Sequence, residues 1–113
     1  MNNIYVGWDS REDIAYQVCE HSILRRTHRD SIEVQPLKQN ELRDQKVYWR
    51  EIDKLASTEF TFTRFLVPYM NNYKGWAAFC DCDMVWLDDA WNLFKDKDDS
   101  KAVYVVKHDY TPP

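Results

Sequence analysis

A single small α/β domain with a mostly parallel central sheet is the fold class that the sequence predicts, and three observations carry it. The chain opens with strand, helix and strand patterns in that order, and an unbroken apolar run of strand length recurs in its second half. Its 113 residues suffice for one hydrophobic core, so residues 1–113 read as one domain.

Ile4-Tyr5-Val6-Gly7-Trp8 is the expected first strand, and Asp9-Ser10-Arg11 turns the chain into a helix. In that helix Ile14, Ala15, Val18, Cys19, Ser22 and Ile23 recur at three- and four-residue steps, which predicts one stripe packed inward. Ile32-Glu33-Val34-Gln35-Pro36-Leu37 is a second strand, and strand, helix, strand is the pattern of a right-handed parallel unit. Residues 38 to 56 are polar and predict a long loop with at most one weak helix. Ser57-Thr58-Glu59 then offers capping chemistry to a helix carrying Phe62, Phe65, Leu66 and Tyr69, which Pro68 bends or shortens. Trp76-Ala77-Ala78-Phe79-Cys80 predicts a strand covered on both faces. Residues 88 to 94 suggest a short helix, residues 95 to 100 a solvated charge run, and Ala102-Val103-Tyr104-Val105-Val106 a last strand.

Composition narrows the function classes. A net charge of -4 argues against a nucleic-acid surface, which needs clustered Lys and Arg on one face. Arg25-Arg26-Thr27-His28-Arg29 is the nearest approach to such a cluster, and it sits where cations favour a helix C-terminus. Aromatic residues reach 15%, which suits a small core or rings stacked on sugars and bases. Cys19, Cys80 and Cys82 lack paired metal-binding spacing and read as reduced thiols of a cytoplasmic protein. No apolar run approaches the roughly 18 residues of a membrane span.

The chemistry concentrates at Asp81-Cys82-Asp83. A D-x-D triplet is weak by itself in a chain with 13 Asp, and Asp96-Lys97-Asp98 serves as an internal control, set in a solvated run. Asp81 and Asp83 differ because five apolar residues precede them and Met84-Val85-Trp86-Leu87 follow. Strand alternation puts both on one side and Cys82 on the other. Two anions so placed resist desolvation unless a cation joins them, and Mg²⁺ or Mn²⁺ held by one or two carboxylates plus substrate phosphates meets that need. The bland reading is a helix cap plus a turn aspartate.

The ordered set of such segments resembles the GT-A superfamily of nucleotide-sugar glycosyltransferases, closest to its family 8-like members. The segments are residues 5 to 13, 58 to 68, 75 to 84 and Val106-Lys107-His108-Asp109-Tyr110. The resemblance implies a Rossmann-like GT-A fold, a UDP-sugar donor and a saccharide or other hydroxyl acceptor. It implies that Val6, Gly7 and Asp9 form the nucleobase site, that Trp8 or Arg11 packs on base or ribose, and that Arg64 reaches the diphosphate and donor sugar. Asp81 is then expected near ribose and metal, and Asp83 as the firmer ligand of Mn²⁺ or Mg²⁺. Members of the superfamily usually continue for another hundred residues with a third metal ligand and the acceptor site. The chain therefore reads as a fragment, a minimal donor-binding core, or a chain completed by self-association into a homo-oligomer. His108 and Asp109 stand as substitute ligand or base. A nucleotide-sugar-binding module without transfer is one alternative. A haloacid-dehalogenase-type phosphatase is another, since Asp81-Cys82-Asp83-Met84-Val85 fits its D-x-D-x-(T or V) pattern, although only 30 residues follow Asp83.

Overall fold

The computed structural model describes residues 2–28, 31–107 and 109. Three strands form one sheet in the order β2-β1-β3, with β1 (Asn2–Gly7) pairing in parallel with both β2 (Ile32–Leu37) and β3 (Ala77–Cys80). The register sets Ile4 beside Val34 and Ala78, and Val6 beside Pro36 and Cys80. Parallel pairing with helical connections is the α/β architecture expected from the sequence.

The central strand β1 carries the core. Ile4 and Val6 are fully buried on the face covered by helix α1 (Asp13–Arg25), where Tyr16, Cys19 and Ile23 meet them. Tyr5 points to the other face, and its hydroxyl donates to Asn71 Oδ1 at 3.3 Å, as does the Asn3 amide at 2.8 Å. Phe60 and Phe79 stack on that second side with ring centroids 6.4 Å apart.

Beyond β3 the chain returns along α1. The Cys82 sulfur faces Glu12, the Trp86 backbone N–H donates to Ser22 Oγ, and the Ala90 N–H donates to Thr27 Oγ1. Short helix α4 (Trp91–Phe94) then adds Phe94 to the core. Two further short helices, α2 (Gln39–Asp44) and α3 (Val67–Met70), lie between β2 and β3.

Four expectations need correction. The run from Ala102 to Val106 forms no strand, and Val103, Val105 and Val106 are each more than 70% exposed. Among the described residues nothing offers that run a ladder, and β-propensity without a partner does not hold a strand. Tyr104 instead sets its ring 5.3 Å from that of Trp76. The single helix expected after Ser57 is broken into a 3₁₀ turn at Thr63–Leu66 and the four-residue α3, because Pro68 has no N–H to donate and is tolerated only in a first helical turn. Strand β3 is half-buried along its length, since it has one neighbour; the strand covered on both faces is β1. In α1 the inward stripe is Tyr16, Cys19, Ser22 and Ile23, while Ile14 and Val18 face solvent. The helix carries two adjoining apolar stripes, and the sheet covers the one whose Tyr16 offers the larger area.

Candidate functional site

In an open parallel sheet the strand carboxyl ends gather on one rim, which here brings together Gly7-Trp8-Asp9, Lys38 and Asp81-Cys82-Asp83. Burial changes residue by residue past the end of β3. Cys82 is 1% exposed under α1, whereas Asp83 is exposed and Asp81 half-buried. Burial and hydrogen bonding to Glu12 push the Cys82 thiol up to about 11. Arg64 approaches the same rim from the 3₁₀ turn, with its guanidinium carbon 5.8 Å from the Phe79 ring centre and its Nε donating to the Thr61 carbonyl at 3.1 Å. Phe79 is two residues before Asp81, so the contact sets Arg64 beside the strand that leads into the carboxylate pair.

Asp9 is built in more tightly than a strand-end carboxylate needs to be. It is 1% exposed, and its two oxygens accept from the Arg11 backbone N–H (2.9 Å), Arg11 Nε (2.9 Å), Arg11 Nη2 (2.7 Å) and the Glu59 N–H (3.2 Å). A carboxylate has about four acceptor sites, so all are occupied. Reading the imide edge of a base would require Asp9 to exchange one of these donors. Arg11 pairs with Asp9 and donates to the Ser57 carbonyl, with its side chain two-thirds exposed.

Hydrogen bonding from Arg11 holds the Asp9 carboxyl well below the usual carboxylate range, against the opposing effect of its burial. A depressed folded-state value means stability that is fully present above the unfolded value of about 3.9 and is lost as pH falls through the folded one. The Asp9→Asn variant keeps a capping oxygen but loses the ion pair, and Arg11 remains two-thirds exposed and hydrated. It should cost about 2 kcal/mol near neutral pH. That cost should shrink as pH falls below about 4, where Asp9 of the unfolded chain takes up its proton while the folded carboxylate stays ionised. Urea unfolding of both proteins across that range checks it; a difference independent of pH would contradict the assignment.

Three groups at the rim were not singled out from sequence. Lys38 follows the last residue of β2 and holds its ammonium 4.9 Å from the Trp8 ring centre, while the Trp8 indole N–H donates to Asp13 at 2.9 Å. Equal strand ends in a parallel unit were the available signal for Lys38. Glu59 accepts from the Ser10 N–H and hydroxyl instead of serving a helix cap, which joins the segment before Arg64 to the end of β1. Glu12 meets Cys82 across 3.5 Å. The Glu59 and Glu12 pairings leave no local trace in the sequence.

Gly7 is needed for close approach. A Cβ there would lie 2.5 Å from two atoms of the Phe60 ring. His108 lies outside the described residues, and Asp109 is exposed. Among the described residues no three His, Cys, Asp or Glu side chains converge as a metal cluster. A cavity of about 470 Å³ lined by Arg50 to Lys54 and one of about 330 Å³ lined by His28, Ser31, Asp89 and Trp91 both lie away from the carboxylate pair. No helix among the described residues is long and apolar enough to cross a membrane.

No protein-family model matches the chain, and no solved structure matches it. It is similar to Protein CDI of Arabidopsis thaliana, 50% identical over 109 residues, which are 96% of this chain and 42% of that protein. The chain thus spans about two fifths of the curated relative it matches, whose name describes no activity.

Proposed function

We infer that this chain is the donor-binding core of a glycosyltransferase that takes a nucleotide-diphosphate sugar, with a UDP-sugar as donor and a hydroxyl group as acceptor. The observation that supports the reading is that Gly7-Trp8-Asp9 and Asp81-Cys82-Asp83 follow adjacent parallel strands, with Arg64 set over Phe79 of the second. The GT-A resemblance supplies the finer fold and the sugar-nucleotide class. A cytoplasmic location belongs to the same proposal, with the three free thiols in its support.

The donor set suits a hard divalent ion. Asp81 and Asp83 offer carboxylate oxygens, and with no third protein ligand among the described residues the remaining positions fall to phosphate and water. Bound there, Mn²⁺ or Mg²⁺ would neutralise charge on the diphosphate. The chain's own residues do the rest. Backbone groups of Val6 and Gly7 face the nucleobase, and the Trp8 ring with Lys38 beside it offers a flat, cationic surface at the strand ends. Asp9 holds Arg11 and the Glu59 segment in place. As the bond from the anomeric carbon to the diphosphate breaks, negative charge grows on the leaving oxygen, and the Arg64 guanidinium stabilises it there.

Incubation with UDP-sugars and Mn²⁺, with and without saccharide acceptors, should release UDP. Arg64→Ala should slow release by about 100-fold, the usual loss when one preorganised charge-stabilising donor is removed. Because Arg64 is exposed, its folding should be unchanged. Binding of donor without any release would mark a nucleotide-sugar-binding module, and phosphate release from simple phosphomonoesters would mark a phosphatase. Either result overturns the transferase reading.

A further inference from the structure

Cys19 and Cys80 belong to different layers of the fold, helix α1 and the last position of β3, and stand 61 residues apart in sequence. Their sulfurs are 4.0 Å apart. A disulfide requires about 2.05 Å, so bond formation needs roughly 2 Å of combined movement. The edge position of β3, held by β1 alone, gives it room to supply part of that movement. The third thiol is engaged elsewhere: Cys82 is buried with its sulfur 3.5 Å from Glu12 Oε2.

From this contact we propose that Cys19 and Cys80 are an oxidisable dithiol, converted by a peroxide to an intramolecular disulfide. Exposure sets the order of events, because Cys19 is closed to solvent and Cys80 is half-buried. The Cys80 sulfur attacks one peroxide oxygen, the O–O bond breaks, and the departing hydroxide leaves as water with the Cys80 proton. The Cys19 sulfur then attacks the resulting sulfenic sulfur. The S–S bond forms, the S–O bond breaks, and the hydroxyl leaves as a second water with the Cys19 proton. Two thiols give up two electrons, and one peroxide accepts them. The new bond ties α1 to the residue immediately before Asp81, so the oxidised chain holds the end of β3 against the helix. The inference does not rest on the nucleotide-sugar reading.

The test treats the full chain with hydrogen peroxide in native buffer, with circular dichroism recorded throughout, then alkylates the remaining thiols and maps peptides without reduction. The expected result is a Cys19–Cys80 cross-link within one chain, a loss of about 2 mass units reversed by dithiothreitol, with Cys82 still alkylated and the fold retained. The proposal is overturned if Cys19 remains alkylated after Cys80 has been oxidised to sulfenic or sulfinic acid. It is overturned equally if neither thiol reacts, if the bond uses Cys82 or a second chain, or if it forms only once the dichroism signal is lost.

Discussion

Asp83→Ala should abolish Mn²⁺-dependent binding of UDP, with affinity falling by at least about 100-fold, equivalent to about 2.7 kcal/mol. The size of the effect follows from how little else the chain offers a cation. Among the described residues no third potential ligand joins Asp81 and Asp83, so losing Asp83 removes half of the protein's contribution. Asp83 is exposed, and substitutions at such positions usually change stability by no more than about 0.5 kcal/mol, so lost binding would not be lost folding. Asp96→Ala, in the solvated second triplet, is the matched control and should bind as the wild type does. Calorimetry with UDP, with and without Mn²⁺, decides the matter. An Asp83→Ala protein with wild-type affinity and the same dependence on Mn²⁺ would end the metal-site reading.

Gly7→Ala should be the most damaging single methyl group that can be added near this rim. Its Cβ would sit 2.5 Å from two Phe60 ring atoms and 2.9 Å from a third. The ring is 4% exposed and packed against Phe79, so it cannot swing into solvent without surrendering its own burial. Overpacking of this kind costs about 1 to 3 kcal/mol, and roughly 4 to 8 °C of thermal midpoint per kcal/mol in a domain of this size. Phe60 also follows Glu59, whose N–H holds Asp9, so the displacement should loosen the strand end as well. Combining Gly7→Ala with Phe60→Leu should cost less than the two singles summed, because the smaller side chain removes the clash. Additive losses in thermal or urea unfolding would show that the ring is not what Gly7 accommodates.

The legible parts of the fold were those with a local cause. The period-2 and apolar-run patterns of β1, β2 and β3 can be read without neighbours, and so can the parallel pairing that a strand-helix-strand opening enforces. The weak helix in the polar stretch also formed, as α2. Where two local answers competed, reading failed. Cys19, Ser22 and Ile23 turned inward as expected, but Ile14 and Val18 suit the same stripe as well as Tyr16 does, and only the covering layer chose Tyr16. Val103 to Val106 has strand composition, but pairing belongs to two segments, and composition reports on one.

The candidate site divides in the same way. Its carboxylate pair was visible because charge at the end of an apolar strand is a local contradiction, and side-chain alternation along the chain told which residue turns away. The sequence by itself therefore determined β1, β2 and β3, their parallel sense and the aspartates that follow β3. Tertiary structure alone decided that the Glu59 amide reaches Asp9, that Lys38 stands over Trp8, and that the Cys19 and Cys80 sulfurs meet. Local order needs only the covalent spacing of neighbours, whereas each of these contacts joins different elements or depends on packing between them, and no spacing along the chain encodes that.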